Sequence, residues 1–152
     1  MKKFLIVGML LAALAAVIPA HAATAFVFNG QAHLPTFPCV PGGCTGTFSG
    51  TARGNLDGVN STNAAMTATY TYQENNCEQG TASGSGTING VPFTFTWART
   101  GNTARITGVY AGGNITAVAA FAVTAPPAPT MCVPGAPPAA VTATVAGVAA
   151  GA

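Results

Sequence analysis

The chain has very few ionisable side chains, since only 5% of its 152 residues are charged. Beyond residue 22 there is no lysine, the only histidine is His33, and three arginines balance three carboxylates. Nucleic-acid binding needs a basic patch that neutralises phosphates, and this composition does not supply one. We therefore expect no nucleic-acid partner. A net charge near zero also removes mutual repulsion, which leaves self-association open.

A recognisable catalytic set is also missing. His33 would have to recruit Asp57 and a distant serine to form a triad, and there is no Gly-x-Ser-x-Gly motif. Glu74 and Glu78 could be read as a glycosidase pair or, with the asparagines between them, as calcium ligands. They flank Cys77 in a polar segment without the spaced acidic pattern of a calcium loop. We expect no enzyme activity, no cofactor and no metal site.

Only the first 22 residues form a long hydrophobic run of the kind used in targeting. Lys2 and Lys3 precede an uncharged stretch over 4–17, and Ala20-His21-Ala22 follows with small residues at the positions read by signal peptidase. The run is shorter than the roughly 20 residues of a spanning helix. The pattern predicts a signal peptide over 1–22 and one β domain over 23–152. We expect secretion to the extracellular space or the cell envelope and periplasm, with no stable membrane anchor.

The clearest structural signal is Asn89-Gly90, because both central residues of a type I′ hairpin turn need positive φ. A two-residue turn here predicts that apolar residues of the flanking strands face one another. The predicted pairs are Ile88 with Val91, Gly86 with Phe93, Gly84 with Phe95 and Ala82 with Trp97. The opposite face of this hairpin is rich in serine and threonine.

Two further turns extend the same pattern. A turn at Gly101-Asn102 predicts Trp97 beside Ile106, Phe95 beside Gly108 and Phe93 beside Tyr110. A turn at Gly112-Gly113 predicts Tyr110 beside Ile115, Gly108 beside Ala117 and Ile106 beside Ala119. All three turns keep one apolar and one polar face, whereas a one-residue slip would invert a strand.

The remaining segments fit further strands of an all-β antiparallel meander. Apolar residues alternate at Phe26 and Phe28, around Phe48, from Met66 to Tyr72, and over 141–145. The segment over 141–145 is either the strand that closes the structure or part of a loose alanine-rich tail. Large rings are predicted to lie over glycines, as in narrow barrels. We expect roughly eight strands that form a small barrel or a sandwich.

Four cysteines follow the signal peptide, at Cys39, Cys44, Cys77 and Cys132. In an oxidising compartment they favour two disulfides, with three possible connectivities. Cys39–Cys44 and Cys77–Cys132 are favoured, because Pro41-Gly42-Gly43 is a turn sequence. A redox site would need Cys-x-x-Cys, and zinc binding would need a second knuckle. Cys132 lies in a proline-rich arm over 125–138, which we expect to be stiff and extended.

Binding is more plausible than catalysis, and the inner face provides the first candidate site. Trp97, Tyr110, Tyr70 and Tyr72 share that face, and Arg99 is expected near its rim. If the interior is not filled, these residues would line a pocket for a small apolar ligand. If it is filled, they are the hydrophobic core.

The outer face provides two further candidates. Hydroxyl rows, predicted as Ser83–Thr96–Thr107 and Ser85–Thr94–Thr116, could contact a glycan, although threonine is an ordinary outward strand residue. Val118, Ala120 and Ala122 form an apolar strip that could be covered by the proline-rich arm or by a second copy. The sequence thus favours a non-catalytic structural or interaction domain. The alternative is a ligand- or glycan-binding barrel.

Overall fold

The computed structural model describes residues 24–37, 43–76, 79–123 and 139–151. Eight antiparallel strands follow one another around a closed barrel, and the last pairs with the first. Their bounds are β1 Thr24–Phe37, β2 Cys44–Leu56, β3 Val59–Asn76, β4 Gln79–Ile88, β5 Val91–Thr100, β6 Thr103–Tyr110, β7 Gly113–Val123 and β8 Ala139–Gly151. The predicted meander is confirmed, and the choice between barrel and sandwich is settled as a barrel. The segment over 141–145 closes it as part of β8.

The predicted hairpin at Asn89-Gly90 is confirmed. Its two residues have φ of 50° and 85°, and Ile88 faces Val91 across the turn. An equivalent turn at Asp57-Gly58, with the same two φ values, joins β2 to β3. Asp-Gly is as strong a type I′ signal as Asn-Gly, so this turn was readable from the sequence although we did not predict it.

The turn at Gly101-Asn102 is also confirmed, since Trp97 pairs with Ile106 and Phe93 with Tyr110. The predicted turn at Gly112-Gly113 is wrong by one position. Ala111 and Gly112 occupy the turn with φ of 41° and 77°, and Gly113 pairs with Tyr110.

The register between β6 and β7 is therefore shifted by two residues from the prediction. Tyr110 faces Gly113 instead of Ile115, Gly108 faces Ile115 instead of Ala117, and Ile106 faces Ala117 instead of Ala119. A two-residue shift preserves inside and outside, so the predicted faces survive although the pairs do not.

Alternation places one side of every strand in the barrel interior. The buried apolar residues form a single cluster that includes the predicted inward positions Phe26, Phe28, Phe48, Met66, Tyr70, Tyr72, Phe93, Phe95, Trp97 and Tyr110. Burial of this much aromatic and aliphatic surface is the main favourable term in the stability of the barrel.

Glycines make room for the rings, as predicted. A β-carbon on Gly84 would lie 2.7 Å from Phe95 Cζ and 2.8 Å from Tyr70 Cβ. A β-carbon on Gly46 would overlap the ring of Tyr70. Large and small residues thus share the narrow interior, which is how a small barrel can be filled without a channel.

The two ends of the barrel differ in their connections. At the upper end β1 joins β2, β3 joins β4, β5 joins β6 and β7 joins β8; at the lower end are the other three turns. Cys44 begins β2 at the upper end and packs against the core. The predicted signal peptide over 1–22 and the predicted proline-rich arm over 125–138 lie outside the described residues, as do Cys39, Cys77 and Cys132. The disulfide pairing stays a prediction.

Candidate functional site

Four of the five predicted ligand-binding residues meet inside the upper half of the barrel. The ring centroids of Tyr70 and Trp97 are 4.7 Å apart, and those of Tyr72 and Trp97 are 6.4 Å apart. Arg99 joins this group through a hydrogen bond from its Nε to Tyr72 Oη, at 2.9 Å. Alternation on β3 and β5 brings these side chains together, because every second residue of a strand points inward.

Tyr110 belongs to a different part of the interior. It pairs with Phe93, which lies four residues, or about 13 Å, along β5 from Trp97. Its ring makes an edge contact with Phe26 at a centroid distance of 5.4 Å. The predicted set is therefore one cluster of four residues and one separate core tyrosine.

Arg99 is buried rather than at an exposed rim, with 3% of its surface accessible. All three of its side-chain nitrogens donate: Nε to Tyr72 Oη, Nη1 to the Gly101 carbonyl at 2.6 Å, and Nη2 to Glu74 Oε1 at 3.4 Å. Buried charges persist only when they are paired and hydrogen-bonded in this way. The guanidinium therefore covers the upper side of the aromatic cluster with a hydrogen-bonded polar group.

Burial has the largest effect on the pKa values of the two groups that contact Arg99, Glu74 and Tyr72. It raises the pKa of the Glu74 carboxyl, and the attraction of Arg99 offsets only part of that rise. It also raises the pKa of the Tyr72 hydroxyl, again opposed by the hydrogen bond and charge of Arg99. Arg99 Nη2 and Glu74 Oε1 are 3.4 Å apart, which is long for a charge-assisted hydrogen bond. A weak attraction of this kind is consistent with a pKa of Glu74 that stays raised.

The two spaces described inside the barrel are small. The space among Phe28, Phe48, Met66 and the rings above them is about 30 Å³, and a second space beneath Arg99 is about 10 Å³. The larger space matches the volume of about one water molecule. Within the described chain, Trp97 Nε1 has no hydrogen-bond partner. The rings of Tyr70, Tyr72 and Trp97 therefore pack against one another with one unsatisfied donor, and the two described spaces beside them are smaller than a ligand site.

Tyrosine ionisation provides a test of this packing. Burial raises the pKa of Tyr70, Tyr72 and Tyr110, the three tyrosines of the chain. Unfolded tyrosines ionise near pH 10, so above that pH the folded chain holds more protons than the unfolded one. The contribution of these tyrosines to the free energy of unfolding is therefore complete below about pH 10, and it is lost as the pH rises further. We expect tyrosinate absorbance to appear only as circular dichroism reports unfolding. Gradual ionisation near pH 10 in an intact barrel would contradict the packing.

Hydroxyl side chains are frequent on the outer face from β2 to β6, and one row of them continues onto β7. One row reads Thr45–Thr71–Ser83–Thr96–Thr107–Thr116 across six strands. Ser83, Thr96 and Thr107 share a row as predicted. The prediction that Thr116 shares a row with Ser85 and Thr94 is wrong, because the two-residue shift of β7 places Thr116 in the row of Thr107 and puts Asn114 in the row of Thr94.

An open groove of about 580 Å³ crosses this hydroxyl face. Thr71, Thr81, Ser83, Thr96 and Thr107 contribute hydroxyls, and Gln73 and Arg105 contribute an amide and a guanidinium. Ala98 contributes a short side chain to the lining. Such a surface can donate and accept hydrogen bonds with a polar ligand.

The apolar strip Val118, Ala120 and Ala122 is exposed along β7. Val118 has 60% of its surface accessible and pairs with Ala146 on β8, beside Val148. On the next strand Val27 faces Val148. The exposed apolar surface is thus wider than the sequence indicated, because closure of the barrel brings β1 beside β8.

Residues considered for catalysis lie far apart. His33 pairs with Thr47 on β2, and Asp57 is ten residues further along the chain, about 30 Å away at the lower end. Glu74 is held by Arg99, and Glu78 lies outside the described residues. Among the residues in view, no three His, Cys, Asp or Glu side chains are grouped as metal ligands.

Comparison of the chain with family models, curated proteins and solved structures found no match. No helix in the described part of the chain has the length and apolar character needed to cross a membrane.

Proposed function

We propose that this protein is an exported, non-catalytic β domain that acts as a structural or interaction component of the cell envelope or the extracellular space. The filled barrel interior is the observation that carries this proposal. Its aromatic residues contact one another, and the space left among them matches about one water molecule. The interior residues therefore stabilise the fold, and other molecules would bind to the outer face of the barrel.

The sequence supports the same proposal. A signal peptide over 1–22 directs the chain out of the cytoplasm, where disulfides among Cys39, Cys44, Cys77 and Cys132 would stabilise a small domain. Few charges and no basic patch disfavour a nucleic-acid partner. A barrel without sheet edges is also well suited to durability, since no unpaired strand is open to aggregation.

The apolar strip Val118, Ala120 and Ala122 is the proposed contact for a second copy. It continues into Ala146 and Val148 on the neighbouring strand, so the contact is two strands wide. Contiguous apolar surface of this kind is characteristic of interaction sites, and near-zero net charge does not oppose association.

Replacing Ala120 by lysine is expected to abolish self-association, because the charge would have to be buried in the contact. The readout is native mass spectrometry and light scattering of the exported protein over a range of concentrations. The matched control is Ala98→Lys, the same substitution at an exposed outward position of β5. It adds the same net charge two strands from the apolar strip, with Arg105 between Ala98 and Val118.

Loss of assembly in Ala120→Lys but not in Ala98→Lys supports the proposed contact. Equal loss in both variants would mean that net charge alone controls association, and assembly unchanged in Ala120→Lys would remove the apolar strip as the contact. Denatured masses before and after reduction check signal-peptide removal and the disulfides in the same experiment.

Glycan binding by the hydroxyl face is the second candidate function. The groove of about 580 Å³ favours it, because its hydroxyls and Arg105 can contact a saccharide. The same native mass measurement distinguishes the two functions. A mass excess that is lost on unfolding indicates a captured ligand, whereas multiples of the chain mass indicate assembly.

A further inference from the structure

A second groove, of about 610 Å³, lies on the outer face where β8, β1, β2 and β3 run side by side. It has two chemically different halves. Val27, Ala146 and Val148 form an apolar half on β1 and β8, and Asn29, Thr51, Arg53 and Thr62 form a polar half. Its volume is in the range of small-molecule sites, roughly 300–1,000 Å³.

A β-bulge shapes the polar half. The register of β2 and β3 shifts between Ala52 and Gly54, where Ala52 faces Ala64 and Gly54 faces Ser61. Two residues of β3 therefore stand opposite Arg53 alone. Bulges bend a strand and redirect side chains, and they are frequent beside functional sites. The bulge places Thr62 in the groove with Arg53.

Arg53 provides the charge of the groove. Its side chain is exposed, and in the described part of the chain it has no ion pair or hydrogen bond. Thr51 Oγ1 donates to Asn29 Oδ1 at 3.2 Å, which holds these two polar side chains beside it. An unpaired guanidinium with neighbouring hydroxyls suits a carboxylate or a similar anionic head group.

We propose that this groove binds a single-chain anionic amphiphile, with its anionic head on Arg53 and its aliphatic chain along Val27, Ala146 and Val148. The apolar half favours an alkyl chain over a sugar, and the single cation favours one anionic group. A groove of this volume, lined by one cation and three outward apolar side chains, fits one amphiphile molecule in solution. The two spaces described inside the barrel, of about 30 and 10 Å³, are too small for such a ligand.

The test uses the full exported protein and decanoate below its micelle concentration, followed by calorimetry and NMR. Arg53→Gln is expected to weaken binding by about tenfold or more, as for a lost charge-assisted hydrogen bond. Arg105→Gln is the matched control, because Arg105 is also exposed and lies in the groove of similar size on the hydroxyl face. It should leave decanoate binding unchanged.

Two neutral or short probes complete the design. Decanol lacks the charge and acetate lacks the chain, so both should bind much more weakly than decanoate. Three results would each overturn the proposal. The first is equal weakening of decanoate binding by Arg53→Gln and Arg105→Gln, and the second is no effect of Arg53→Gln. The third is binding of decanol or acetate as tight as that of decanoate. Binding to phosphatidylglycerol vesicles without binding of monomeric decanoate would replace it by a membrane-surface role. Ala146 and Val148 also belong to the proposed contact with a second copy, so decanoate binding is measured at concentrations where the protein is monomeric. Self-association itself is tested by Ala120→Lys.

Discussion

Replacing Gly84 by valine is expected to lower the free energy of unfolding by about 3 kcal/mol, the upper part of the range for overpacked cores. Even the β-carbon would lie 2.7 Å from Phe95 Cζ and would also overlap the backbone carbonyl oxygen of Thr69. Phe95 Cζ is the far end of a side chain, whereas the Thr69 carbonyl oxygen belongs to the backbone of β3 and cannot rotate away. The backbone of β4 must therefore shift, and the pairing with β3 weakens with it.

The matched control is Ser85→Val, on the same strand and one residue further on. Ser85 points outward and is exposed, and valine is favoured over serine in strands. We expect a change of less than about 0.5 kcal/mol there. Urea unfolding monitored by circular dichroism measures both variants. A Gly84→Val barrel as stable as wild type would mean that the interior is not filled around Phe95, and would reopen a ligand site beside Trp97.

The sequence predicted which residues of each strand face inward, because turn residues such as Asn89-Gly90 fix where the hairpins reverse. Asn89-Gly90 fixes one hairpin locally, and alternating rings and glycines extend the pattern along the chain. The turn before β7 could not be placed, because Gly112-Gly113 and Ala111-Gly112 preserve the same faces. In the barrel a β-carbon on Gly113 would lie 3.1 Å from Thr24 Cγ2. That contact comes from the first strand, and nothing near residue 113 in the sequence reports it.

The candidate sites were predicted less completely, for a related reason. The interior residues were identified, but whether they leave a cavity depends on how rings from all eight strands meet. The groove at Arg53 was missed because it combines β8, β1 and a bulge between β2 and β3. One signal was available. Arg53 and Arg105 occupy outward positions in strands whose other outward residues mostly carry hydroxyls or small side chains. Arg99, by the same alternation, occupies an inward position of β5.

Replacing Arg99 by leucine is expected to cost about 3 kcal/mol, the lower part of the range for breaking a buried ion pair. Three acceptors lose their donor: Tyr72 Oη, the Gly101 carbonyl and Glu74 Oε1. Glu74 retains some contact with water, with 17% of its side chain accessible, which places the cost at the lower end. Arg105→Leu is the control, because Arg105 is exposed; its effect should stay within about 0.5 kcal/mol.

The pH dependence separates the lost ion pair from lost packing. Without Arg99, the pKa of Glu74 should rise further, because the attraction that lowers it is gone. At neutral pH the Arg99→Leu variant then holds an uncompensated carboxylate, and as the pH falls through that raised pKa the carboxyl gains a proton. The deficit relative to wild type should therefore shrink in acid, and Arg99→Leu with Glu74→Gln should lose less stability than Arg99→Leu alone at neutral pH. A deficit that is constant with pH and unchanged by Glu74→Gln would assign the role of Arg99 to packing of its aliphatic stem on Trp97 and Tyr72.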